Sequence, residues 1–188
     1  MKMRQNKELE RASGSVGPES ALETERLILR GWRESDLDVL AKFYEIDPLA
    51  KYVGGPKSRE DSWRHMAMIV GHWHLRGYGV FAIEEKASQQ TIGWCGPWFP
   101  LSFPEPEIGY VLFAPAYRGK GFITEAVAAS RTYAYKTLKF RTIVSFIAPS
   151  NAASARVAER AGATLEGPAE IRGHTVNRWR YPAPQTIT

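Results

Sequence analysis

The chain has 188 residues, 44% of them hydrophobic and 12% aromatic, which fits one globular domain with a substantial core better than two. Its longest apolar stretches, such as 66–70 and 143–148, fall far short of the roughly 20 residues that cross a bilayer, and the N-terminus lacks the apolar run of a secretory signal, so a cytoplasmic protein with no membrane partner is expected. Cys95 is the only cysteine, which excludes an internal disulfide and two-cysteine metal or redox motifs, while a net charge of +5 favours anionic ligands, nucleic acid and phosphorylated cofactors alike.

Residues 1–20 mix charges with Gly14, Gly17 and Pro18 and show no apolar period, which predicts a flexible leader. The folded domain is expected over 21–182, with a tail at 183–188. Residues 26–30 have strand composition. Ser35, with Asp38 three residues on, predicts a helix start ahead of Leu37, Leu40, Phe43 and Tyr44, and Asp47-Pro48 ends that helix. A second helix is expected from Ser58, with Glu60 and Asp61 in its first turn, Trp63, Met66, Val70 and Trp73 at helical spacing, and Gly77 as its stop. Residues 78–85 and 91–99 read as a hairpin about a polar turn at 86–90, and four prolines between 97 and 106 mark an irregular link to a strand at 107–113. A helix at 120–138, a strand at 142–148, a helix at 152–161 and a terminal strand pair near 164 and 176–181 follow. The order β-α-α-β-β-β-α-β-α-β-β predicts an α/β fold, one central mixed sheet flanked by helices.

The segment 107–126 carries the most chemical information: a strand, a turn punctuated by Gly119 and Gly121, then a helix. Glycines there admit backbone conformations that leave consecutive N–H groups free for phosphate oxygens, and the helix N-terminus adds unpaired amides and the positive end of its dipole. Hydrogen bonds to charged groups are worth roughly 1.5–3 kcal/mol each, so a few amides could anchor a pyrophosphate, with Arg118 and Lys120 adding positive field. The plainer alternative is a turn that merely starts a helix. A Walker A loop is excluded because Gly121, not Ser or Thr, follows Lys120, and a dinucleotide fingerprint because residue 124 is Thr.

Arg118-Gly119-Lys120-Gly121-Phe122-Ile123 resembles the acetyl-CoA loop of the GNAT N-acetyltransferases, Arg/Gln-x-x-Gly-x-Gly/Ala, with Ile123 where that family has Gly or Ala. The segment 149–163, with Asn151, Ser154 and Gly162, is similar to the Asn-x-x-Ser-x-x-Val…Gly-Phe stretch of the Rim-like branch, whose members modify ribosomal-protein N-termini. The resemblance implies a GNAT fold whose mostly antiparallel sheet splays between its fourth and fifth strands, with a pantetheine arm pairing to the exposed backbone of Val111, Leu112 and Phe113. It further implies that the 118–123 loop binds the pyrophosphate, that Asn151 hydrogen-bonds the pantetheine amides and that Arg156 reaches a CoA phosphate. Asn151 as a helix N-cap and Arg156 as a solvated surface residue are the plainer readings.

Amine acylation needs a base, since only the neutral amine attacks a thioester. Glu107 is the candidate base, on the same strand face as Gly109 and Val111, with a plain surface glutamate as the alternative and Glu105 as the fallback. Ser154 is the candidate acid for the departing thiolate by resemblance, or else a helix-start residue bonded to Asn151; the tyrosine that many relatives use is here Ala158. His65 and His72 lie nearly two helical turns apart and form no ligand set with Cys95, so no metal is expected. Trp94, Trp98, Phe99 and Phe103 are candidates for core packing or for the wall of an acceptor pocket.

The implied activity is direct transfer of acetyl from acetyl-CoA to a primary amine, on a protein N-terminus or a small molecule. Many relatives are dimers, so a homodimer is a candidate assembly. A non-catalytic acyl-CoA-binding or sensing domain is the alternative. An RNA-binding protein ranks last, because no nucleic-acid motif accompanies the positive charge.

Overall fold

The computed structural model describes residues 22–183; the expected leader and most of the expected tail lie outside them. Eight strands form one sheet in the order β1-β2-β3-β4-β5-β6-β8-β7. They are β1 (Leu22–Glu23), β2 (Leu27–Arg30), β3 (Phe81–Glu85), β4 (Gln90–Trp98), β5 (Glu107–Leu112), β6 (Val144–Ile147), β7 (Thr164–Ile171) and β8 (His174–Arg180). Every pairing is antiparallel except β5 with β6. The helices are α1 (Leu37–Ile46), α2 (Arg59–Arg76), α3 (Phe122–Lys136) and α4 (Ala152–Arg160). Among the described residues no helix is long and apolar enough to cross a membrane.

Local signals mark most of the boundaries. The Ser58 side chain accepts from the Asp61 amide at the start of α2, and Gly77 closes that helix at φ 74°, a left-handed conformation that costs glycine little. The start of α1 differs from the Ser35 expectation. A 3-10 turn, Glu34–Asp36, precedes it, and the buried carboxylate of Asp36 accepts from the Arg33 amide and from both Nη atoms of Arg30. Glu84 and Thr91 complete that buried network, so the aspartate serves the β2–β4 junction rather than the solvent face.

The core places Leu27 and Leu29 of β2, Phe81 and Ile83 of β3, Ile92 of β4 and Ile108 of β5 at 0–1% exposure, beneath Leu40, Phe43 and Tyr44 of α1 and Ile69 of α2. A fully buried Leu, Ile or Phe side chain stabilises by about 1.5–3 kcal/mol, which fixes the sheet register that aims β5 and β6. Those two strands pair only at Glu107 with Val144, where the Val144 amide also donates to Pro106 O at 3.1 Å. Beyond that point they diverge and the sheet opens.

Candidate active site

The opening between β5 and β6 is a cleft of about 300 Å³ lined by both strands, by the loop leading into α3 and by α4. A second cleft, of about 930 Å³, lies alongside, walled by the segment 51–57, the start of β4's irregular link and the β7–β8 hairpin. Tyr52, Trp94, Glu107, Gly109 and Phe146 border both.

Strand alternation decides which backbone groups face the opening. Phe113 N donates to Ile92 O at 2.8 Å, and the Val111 carbonyl points at Gly93, so these two residues are spent on β4. Of the expected trio only Leu112 keeps its backbone toward the gap; its carbonyl sits 3.4 Å from an Arg118 Nη. The parity that excludes Val111 and Phe113 brings in Tyr110, and Ile108, whose carbonyl accepts from Ser145 Oγ at 2.6 Å. That parity is set by the register of β5 on β4, Gly93 opposite Leu112 and Trp94 opposite Val111, which spacing within β5 does not carry.

The loop before α3 has the expected form. Gly119 and Gly121 sit at φ 75° and 83°. A Cβ would meet nothing at Gly119 and only Arg26 Nη2, at 3.4 Å, at Gly121, so the glycines serve conformation rather than space. Between the Arg118 amide, which bonds Pro115 O, and the Glu125 amide, which bonds Gly121 O, the backbone N–H groups of residues 119–124 have no acceptor among the described residues. Successive free amides ending in a helix N-terminus are the kind of donor set that suits an anion. Ile123, the departure from the family pattern, is 7% exposed, packs in the core and borders the cleft at its inner side.

Arg118 borders the cleft, with its charge shared with a carboxylate. Its guanidinium pairs with Asp47, whose side chain is 6% exposed, and this contact ties the loop to the end of α1. Lys120 is exposed. Arg26, which sequence reasoning missed, braces the loop: it donates to Lys120 O at 2.9 Å, pairs with Glu125 at 2.7 Å and lies 4.5 Å over the Phe122 ring. Arg156 is exposed at the cleft, as expected, and Arg160 one turn later joins it. The i, i+4 spacing on α4 was the signal for that second arginine.

Asn151 caps α4 by accepting from the Ser154 amide at 3.2 Å, so its side-chain oxygen is occupied and its NH₂ is what the cleft can use. Ser154 borders the same cleft, and its carbonyl accepts from the Tyr110 hydroxyl at 2.8 Å.

Glu107 stands at the apex of the strand opening, where Oε2 accepts from the Phe146 amide at 3.3 Å. Desolvation raises its carboxyl to about 7, against smaller lowering effects of the Phe146 amide and Arg172. Gly109 makes room beside it: a Cβ there would come within 3.0 Å of the Trp94 ring and 3.8 Å of Glu107 Oε1. Glu107 is the only carboxylate bordering either cleft among the described residues. The fallback, Glu105, is instead locked to Arg178 and Arg180 outside both clefts, and the Arg180 hydrogen bond holds its carboxyl below the usual range. Cys95 is fully buried, borders neither cleft, and has its thiol pushed up to about 12 by burial. Trp94, Trp98 and Phe103 wall the wider cleft; Phe99 does not.

A family model described as an acetyltransferase (GNAT) domain matches residues 26–164. An uncharacterized N-acetyltransferase, p20, from Bacillus licheniformis is 31% identical over 151 residues, covering 78% of this chain and 83% of its own. The crystal structure of an acetyltransferase from Agrobacterium tumefaciens superposes with a TM-score of 0.79 at 33% identity, over 88% of this chain and 95% of that one. The fold is also similar to that of RimL, a ribosomal L7/L12 α-N-protein acetyltransferase solved with coenzyme A, with a TM-score of 0.67 at 23% identity over 87% and 98% of the two chains.

Proposed function

This chain belongs to the GNAT acetyltransferase family, and on that premise we propose that it moves acetyl from acetyl-CoA onto a primary amine held in the wider cleft. The observation that carries this is Glu107, the one carboxylate among the described residues at the junction of a cleft lined by amide donors and arginines and a roomy second cleft. The donor fits the residues present: free amides at 119–124 suit a pyrophosphate, and the unpaired backbone of Tyr110 suits a pantetheine amide. Leu112, the Asn151 NH₂, Arg156 and Arg160 complete that surface. Acetyl-CoA supplies the acyl group already activated as a thioester.

With a pKa near 7, Glu107 is part deprotonated at neutral pH and takes the proton from the bound ammonium, directly or through a water, which frees the amine lone pair for attack. The Ser154 hydroxyl is the proton source for the departing thiolate. Attack is direct, because the only cysteine is buried away from both clefts and its thiol stays protonated. The acceptor is a protein N-terminus or a small amine, as for RimL-type neighbours on the first count.

The test is thiol release from acetyl-CoA with a panel of peptides and small amines. Turnover with at least one amine, lost in Glu107→Gln, is expected. Tight CoA binding with no thiol released from any amine would reduce the chain to a CoA-binding domain.

A further inference from the structure

The wider cleft has a charge pattern that the transfer reaction itself does not require. Around its single carboxylate stand Lys51, Lys57 and Arg172, with His65 and His174. Among the described residues none of the three strong cations forms a salt bridge. The Lys57 ammonium rests on the Gly54 carbonyl at 2.6 Å and over the Tyr44 ring at 4.5 Å; Asp61, whose charge acts on it, lies outside the cleft. The Lys51 ammonium lies 4.9 Å over Tyr52. Arg172 donates to Ser102 Oγ at 2.9 Å and lies 5.6 Å over Phe103. Phe103 in turn stacks on Phe146 at 5.9 Å, and Trp94 and Trp98 border the same space. Burial takes His65 down to about 4, so it adds no charge of its own at neutral pH.

A polyamine or an aminoglycoside brings several ammonium groups, of which Glu107 could receive one while the rest would face uncompensated cations. An amine that carries its own anion reverses that balance, with its ammonium at Glu107 and its anion toward the lysines and the arginine. We propose that the acceptor is a primary amine bearing a carboxylate on an apolar or aromatic frame, recognised by Lys51, Lys57 and Arg172. This rests on the transfer reaction proposed above. The same chemistry occurs in a free amino acid and in an acidic peptide N-terminus.

Two matched pairs separate those sources: phenylalanine against phenylalaninamide, and an acidic tripeptide against its side-chain amide counterpart. Amidation lowers the basicity of the phenylalanine amine and so favours the amide chemically, which makes a preference for the acid stringent. Binding is read by quenching of tryptophan fluorescence, since Trp94 and Trp98 border the cleft, and transfer is read separately by thiol release. At least one acid should bind about tenfold more tightly than its amide, with a preference that shrinks in high salt. The pair that discriminates identifies the source. The double variant Lys51→Glu/Arg172→Glu, both at exposed positions, should abolish or invert the preference while leaving CoA binding intact. Equal binding of acid and amide in both pairs, preference for the amides, or no binding of any of the four at millimolar concentration overturns the inference. A binding preference without thiol release leaves it standing and sinks only the transferase assignment.

Discussion

Desolvation at the apex of the strand opening raises Glu107 from 4.5 to about 7, and the sign of that shift links activity to stability. The basic form appears as pH rises, so turnover should climb through about pH 7, and Glu107→Gln should lose about 10²–10⁴-fold in rate together with that inflection. A carboxyl whose folded pKa lies above its unfolded value makes its stabilising contribution at low pH and loses it as pH rises through the window from 4.5 to about 7. Glu107→Gln, which keeps an acceptor for the Phe146 amide, should therefore raise Tm at about pH 8 and not at about pH 4. An equal gain at both values would mean that ionisation is not the cause. At Arg118 the partner decides the outcome. Removing the guanidinium leaves the buried Asp47 carboxylate without a counter-charge and, among the described residues, with only the Leu49 amide as donor, so Arg118→Ala should cost about 1–3 kcal/mol in thermal melts with no ligand present. A double-mutant cycle with Asp47→Ala isolates the coupling; an unchanged Tm in the single variant would return Arg118 to the phosphate role that its place in the loop suggests.

The loop into α3 works through backbone conformation. A side chain at Gly119 has open space and pays only for its positive φ. Asparagine tolerates that region better than a β-branched residue does, so Gly119→Asn should keep the fold and most CoA affinity, whereas Gly119→Val should lose about 1–2 kcal/mol of stability before any ligand is added. Melts and CoA titrations of the pair check this, and equal behaviour would show that the left-handed turn is not needed. For β5 the element-level quantity is parity. The amides of Val111 and Phe113 are already held by β4, while those of Tyr110 and Leu112 look into the opening. CoA should slow hydrogen exchange at Tyr110, Leu112 and residues 119–124 more than at Val111 and Phe113, and uniform protection along the strand would contradict the parity.

CoA would touch β5, β6, α3 and α4, and so bridge the two strands that diverge beyond the Glu107–Val144 pair. Its binding should stabilise the whole molecule by about 2.7 kcal/mol at 100 times Kd, seen as a concentration-dependent rise in Tm, and millimolar CoA without any rise would remove the cofactor assignment. Most of the architecture was legible beforehand, because capping residues, left-handed glycines and alternating or helical apolar spacing act over a few residues of chain. Ser58, Gly77, the glycines of the loop and Asn151 all do locally what their types dictate. The order of elements from β2 onward and the single cysteine were thus read from the sequence, whereas the two-residue strand β1, which pairs with β2, is too short to leave a period of its own. Burial, parity and partner choice were not so read, because they depend on which distant segments meet. Asp47 captures Arg118 from 71 residues away, and Arg26 reaches Glu125 across 99. The Glu107 carboxyl owes its raised pKa to walls from separate parts of the chain, Phe146 lying 39 residues on. Residue types and spacing carry no record of desolvation, so two glutamates two positions apart read alike in sequence. Packing alone put Glu107 at the junction of two clefts with its pKa raised, and made Glu105 a member of an ion cluster.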